Sequence, residues 1–85
     1  MDTITHPTLV QLVAAGAVRV VIAVGQPGGW SLLVRYGLAE RALAAQRSKQ
    51  VRVFRKLDPL QAYLGEIGVR RCEVDAANFR VAPRQ

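Results

Sequence analysis

One cysteine, Cys72, and one histidine, His6, are all that this 85-residue sequence offers to thiol or imidazole chemistry. A lone cysteine excludes an internal disulfide framework and fits a reducing, cytoplasmic setting. It also leaves no Cys/His set of metal-ligand spacing. Nucleophilic catalysis needs a Ser or Cys beside a positioned base, and nothing places Ser31, Ser48 or Cys72 near His6. Glu73 and Asp75 alternate with Arg71 on an outward strand face, as solvated charges and not as an acid–base pair. No apolar run approaches the ~20 residues that cross a bilayer, and Met1–Pro7 lacks the basic start of a signal peptide. Catalysis, metal, cofactor and membrane are all unsupported.

Acid is missing from one place in particular. Between Arg41 and Leu57 stand Arg41, Arg47, Lys49, Arg52, Arg55 and Lys56, with no Asp or Glu among them. Before that window, Arg19 and Arg35 balance Asp2 and Glu40; after it, Arg70, Arg71, Arg80 and Arg84 balance Asp58, Glu66, Glu73 and Asp75. The net +6 is therefore local. A localised positive field is what a polyanion meets first, so nucleic acid, double-stranded DNA above all, is the leading partner. Those six residues are the candidate contacts. The competing reading is a solvated hairpin whose arginines keep an edge strand from aggregating.

The composition is that of one small globular domain, 51% apolar and 21% charged, spanning 1–85. The first element reads as a helix entered at Thr5 or His6, with Pro7 in its first turn and Leu9, Leu12 and Val13 as its stripe. Gly16 stops it. Val18, Val20, Ile22 and Val24 then alternate as the inward face of a strand. Pro27 and Gly28 suit a type II turn, and Trp30, Leu32, Val34 and Tyr36 alternate along an antiparallel return. Residues 38–46 have high helix propensity, but the hairpin-sized break at Gly37 favours a third strand.

Arg47–Gln50 would turn the chain into a fourth strand, Val51–Phe54. Asp58 as cap, Pro59 as first helical residue and Gln61 reaching back predict a helix that runs to Gly68. Val69–Ala76 reads as a last strand with Cys72, Val74 and Ala76 inward, which would leave the thiol buried and quiet. The expected fold is α+β, in the order α-β-β-β-β-α-β. An antiparallel sheet of three to five strands packs on one or two helices, with a core over 7–77 and a tail over 78–85. Val18, Val20, Ile22, Trp30, Leu32, Val34, Phe54, Leu60, Leu64 and Ile67 are the expected core. Trp30 and Tyr36 share a face with Leu32 and Val34, so packing outweighs a base-stacking role.

A resemblance runs through the chain. Val24-Gly25-Gln26-Pro27-Gly28-Gly29-Trp30 opens it, and Val34-Arg35-Tyr36-Gly37, Glu40-Arg41 and Leu43-Ala44-Ala45-Gln46-Arg47 follow. Val51-Arg52-Val53-Phe54-Arg55-Lys56-Leu57, Tyr63-Leu64 and Val74-Asp75-Ala76 complete it. Over roughly residues 8 to 78 the chain resembles the small ParC-type partition-associated proteins of bacterial plasmids and integrating conjugative elements, a family distinct from the topoisomerase subunit of that name. The resemblance implies a non-enzymatic accessory or regulatory protein of a mobile element. Members often carry a further charged helical C-terminal region, and whether function needs it is left open. The order of Trp30, the Arg41 strand, Phe54 and the following helix is also similar to the sheet-and-helix DNA-binding domains of phage-type integrases. In those domains, outward basic residues of a sheet reach the major groove. The alternative function is a protein-binding module or inhibitor using the same hairpin or an edge strand, and a homodimer is also open.

Overall fold

A computed structural model describes residues 2–80. The elements are β1 (Thr3–Ile4), α1 (His6–Ala14), β2 (Val18–Gln26), β3 (Gly29–Tyr36), β4 (Ala39–Leu43), α2 (Leu57–Ile67) and β5 (Glu73–Asp75). The α+β class expected from the sequence holds. The sheet, however, is mixed and not antiparallel. Its order is β1-β4-β3-β2-β5, with β2–β3 and β3–β4 antiparallel and the two outer strands parallel to their neighbours. Each outer strand follows or precedes a helix that crosses the sheet, and such crossovers return strands in parallel.

Glycine punctuation builds most of this frame. Both helices end in the same way: Gly16 and Gly68 adopt left-handed φ values of 70° and 93°. At each end two amide N–H groups fold back onto the last turn. Gly16 and Ala17 donate to Val13 and Leu12, and Gly68 and Val69 donate to Gly65 and Leu64. This pairing satisfies carbonyls that a helix end otherwise leaves bare. The β2–β3 hairpin turns at Pro27-Gly28, with Gly28 at φ 83° as a type II turn requires. Helix α2 starts one residue before the expected Asp58 cap. Lys56 is the N-cap, and Leu57, which packs on the core, is drawn into the first turn. Asp58 instead places its charge near the positive helix end.

The core lies between the helices and one sheet face. Leu9 of α1 and Leu60, Tyr63 and Leu64 of α2 meet Val21, Ala23, Trp30, Leu32, Val34, Leu43 and Phe54. Burial of Ile22, Trp30, Leu32, Val34, Phe54, Leu60 and Leu64 agrees with the expected core, whereas Val18, Val20 and Ile67 are only half-buried. The β2 alternation differs for a definite reason. Val18 pairs with Tyr36 and Val20 with Arg35, so Arg19 is an extra residue, a bulge that reverses the side-chain parity beyond it. Val21 and Ala23 therefore face the helices, and Val20, Ile22 and Val24 turn to the other face.

The ordered frame also extends past the expected 7–77. At the N-terminus, β1 pairs with β4. At the other end, Phe79 stacks on Trp30 at 4.7 Å between centroids, and the Gly28 amide donates to the Arg80 carbonyl. The expected tail residues 81–85 lie outside the described residues.

The expected fourth strand does not form. Val51 makes one bridge to Ala44, and Phe54 pairs both its N–H and C=O with Trp30. The reason is that β4 already has β1 on one edge and β3 on the other, so it has no free edge for a further ladder. Gly29 permits the crossing, since a Cβ there would sit 2.5 Å from the Phe54 carbonyl oxygen and 2.7 Å from Val53 Cγ1. A backbone oxygen cannot swing aside. Gly29→Ala is thus expected to cost about 1–3 kcal/mol by overpacking, read as a lower urea midpoint with an unchanged m-value.

Candidate nucleic-acid interface

Most of the basic window becomes one connection, from the end of β4 to the start of α2, and its two ends are fixed. The Arg52 amide donates to the Leu43 carbonyl at 2.9 Å, and Phe54 is held on Trp30 through bonds of 2.7 and 2.8 Å. The tip is closed as well. Ala45 N–H donates to the Gln50 carbonyl, Lys49 N–H to the Ala45 carbonyl, and Gln50 N–H to Ser48 Oγ. Lys49 adopts φ 62°, a conformation that costs a non-glycine residue about 1–2 kcal/mol and that these bonds sustain. The loop is pinned by backbone hydrogen bonds at both ends and at its tip.

The six candidates separate into three environments. Arg47, Lys49, Arg55 and Lys56 are exposed, with no acidic partner among the described residues. Arg52 is exposed but stacked, its guanidinium 4.5 Å from the Phe54 ring centroid and 5.3 Å from that of Tyr63. This packing holds the guanidinium plane while its edge donors stay free. Arg41 stands apart from the other five, in β4 and beside an acid. Its Nη1 lies 3.4 Å from Asp2 Oδ2, because parallel pairing of β1 with β4 brings Asp2 alongside. A charge count along the sequence cannot register a partner thirty-nine positions away.

Beneath Arg52 lies a contact that the sequence did not signal. Tyr63 Oη and His6 Nδ1 are 2.8 Å apart, joining the start of α1 to the middle of α2. Burial pushes the Tyr63 hydroxyl above its ordinary range, and the Arg52 charge partly offsets that. Trp30 is unavailable as a stacking platform, being 7% exposed and covered by Phe79.

Cys72 differs from its expected placement. It is half-buried, and Val74 beside it is 48% exposed, because β5 is an edge strand with a neighbour on one side alone. Burial still raises the thiol pKa, reinforced by Glu73 and opposed by a backbone hydrogen bond. Alkylation by iodoacetamide at pH 8 is therefore expected to run slower than that of a free cysteine and to keep rising above pH 9. A rate equal to free cysteine would contradict that environment.

Arg70 and Arg71 were balanced by Glu66, Glu73 and Asp75 in the sequence count. Among the described residues neither forms an ion pair with them. The described residues hold no group of three or more His, Cys, Asp or Glu side chains able to bind a metal ion, and no helix is long and apolar enough to cross a membrane. Comparison with protein-family models finds no match, and searches of the curated proteins and of the solved structures find none either.

Proposed function

We propose that this chain is a non-enzymatic DNA-binding protein that docks the Arg47–Lys56 connection on the phosphate backbone of a duplex. One observation carries the reading: Arg47, Lys49, Arg55 and Lys56 are exposed and without acidic partners among the described residues, on a connection anchored at both ends and at its tip. Ordered cations meet phosphates with less entropy to lose than cations on a mobile arm. Arg52 is the contact best suited to a base edge, because its stacked guanidinium is oriented before DNA arrives. The role in a mobile element, in plasmid partition or control of that operon, rests on the ParC-type resemblance alone.

Fluorescence anisotropy with a labelled duplex at low salt tests the proposal. Saturable binding is expected, weakened by Arg47→Ala, Lys49→Ala and Lys56→Ala together. An unaltered affinity in that variant would transfer the function to another surface.

A second reading keeps one observation of its own. The sheet face away from the helices carries Val20, Val24 and Leu33 half-exposed around the buried Ile22 and Ala42, an apolar surface suited to a protein partner. Binding to a protein but not to DNA would favour it.

A further inference from the structure

The two helix ends and the β2 bulge frame a pair of adjoining clefts, of about 570 and about 400 Å³. Arg19, Arg70 and Arg71 line both. They arrive from separate parts of the chain, and each for a local reason. Arg19 is the bulge residue itself, and a bulge re-aims its side chain out of the strand's regular alternation. Arg70 and Arg71 follow directly on the left-handed Gly68 that turns the chain out of α2.

Arg19, Arg70 and Arg71 bring three positive charges to the border of these clefts, and like charges brought together repel unless an anion or solvent answers them. Glu73 is the one acid in the lining, and it borders only the larger cleft. None of the three arginines is in an ion pair among the described residues. Arg19 uses one donor on the Gly37 carbonyl, at 3.1 Å, and keeps the others. Val20 and Val21 add apolar lining, and Gln61 adds an amide able to fix a polar edge. Arginine forks with an apolar wall and one amide suit a ligand that has a phosphate at one end and a flat or carbon body at the other. The larger cleft lies in the range of small-molecule sites, about 300–1,000 Å³.

We propose that these clefts form a binding site for a phosphorylated small molecule of nucleotide size, its phosphate held by Arg19, Arg70 and Arg71. The three arginines all come from outside the basic connection, Arg19 from β2 and Arg70 and Arg71 from the segment after α2. A phosphate could also come from a nucleic acid backbone, and the test separates the two sources.

Cys72 borders the larger cleft, so its alkylation rate reports occupancy. Inorganic pyrophosphate and adenosine triphosphate are titrated separately into the intact chain at constant ionic strength, with chloride as the control. Binding is followed in parallel by isothermal titration calorimetry. Expected are saturable binding by at least one of the two, and a several-fold slowing of Cys72 alkylation that chloride does not reproduce. Arg70→Gln with Arg71→Gln should weaken binding at least tenfold. Arg19→Gln should weaken it as well, as an independent check should the double variant unfold. The variant Arg47→Ala, Lys49→Ala and Lys56→Ala should keep it intact, so loss of DNA binding and loss of this site are told apart. Equal protection by chloride, or no saturable binding, overturns the proposal. Protection by duplex DNA alone also overturns it, and assigns the arginines to the nucleic-acid surface.

Discussion

Replacing Trp30 with alanine is expected to remove about 3–5 kcal/mol of stability, the range for losing a buried aromatic ring. For 85 residues the whole margin is roughly 4–13 kcal/mol, so the variant should lose at least about a quarter of it. Trp30 carries more than its own area. Its ring lies against Phe79, it closes on Gly25 where a Cβ would stand 3.2 Å from Trp30 Cζ3, and its backbone holds Phe54 at both polar groups. Removing the ring frees Phe79 and loosens the base of the basic connection together. Urea denaturation with the Trp30→Phe variant as companion separates the two effects. The phenylalanine variant should retain much of the stability, because it keeps a ring against Phe79. An alanine variant that loses less than about 1 kcal/mol would contradict the assigned core.

The same residue shows which parts of the fold were legible from sequence. Trp30 to Tyr36 alternated cleanly after a Pro-Gly turn, and that strand lies where the pattern placed it. Gly16, Gly37 and Gly68 marked breaks because positive φ values are needed at all three. What was not legible depended on distance or on a single inserted residue. Thr3–Ile4 is too short to show a period, and only the free edge of β4 makes it a strand. The Arg19 bulge flipped the inward set from Val20 and Ile22 to Val21 and Ala23, and no local signal announced it. Phe79 sat in a stretch that looked like a tail until Trp30 provided its partner.

The candidate site divides along the same line. Clustered charge at Arg47, Lys49, Arg52, Arg55 and Lys56 was readable because it is contiguous. The Asp2–Arg41 pair, the Tyr63–His6 contact and the meeting of Arg19 with Arg70 and Arg71 were not, since each joins residues dozens of positions apart.

The largest functional effect expected is of salt. With Arg41 held by Asp2, the connection offers five cations: Arg47, Lys49, Arg52, Arg55 and Lys56. With Arg52 at a base edge and the other four on phosphates, affinity for duplex DNA should fall about a hundredfold between roughly 50 and 200 mM salt, at a slope near 0.9 per contact. Arg52 is distinct within the set. Its loss should also disturb Phe54 and Tyr63, so Arg52→Ala should lower stability as well as affinity, while Arg47→Ala should lower affinity alone.

The most direct test of DNA docking by this connection is the slope of log affinity against log salt. It is measured for the native chain and for the variant Arg47→Ala, Lys49→Ala, Lys56→Ala. The native slope should be near −3.6 and the variant slope near −0.9, a change of about 0.9 for each phosphate contact removed. The two should unfold at closely similar urea concentrations, since none of the three side chains is buried. Absence of duplex binding at low salt, or the same slope for both proteins, would contradict the account.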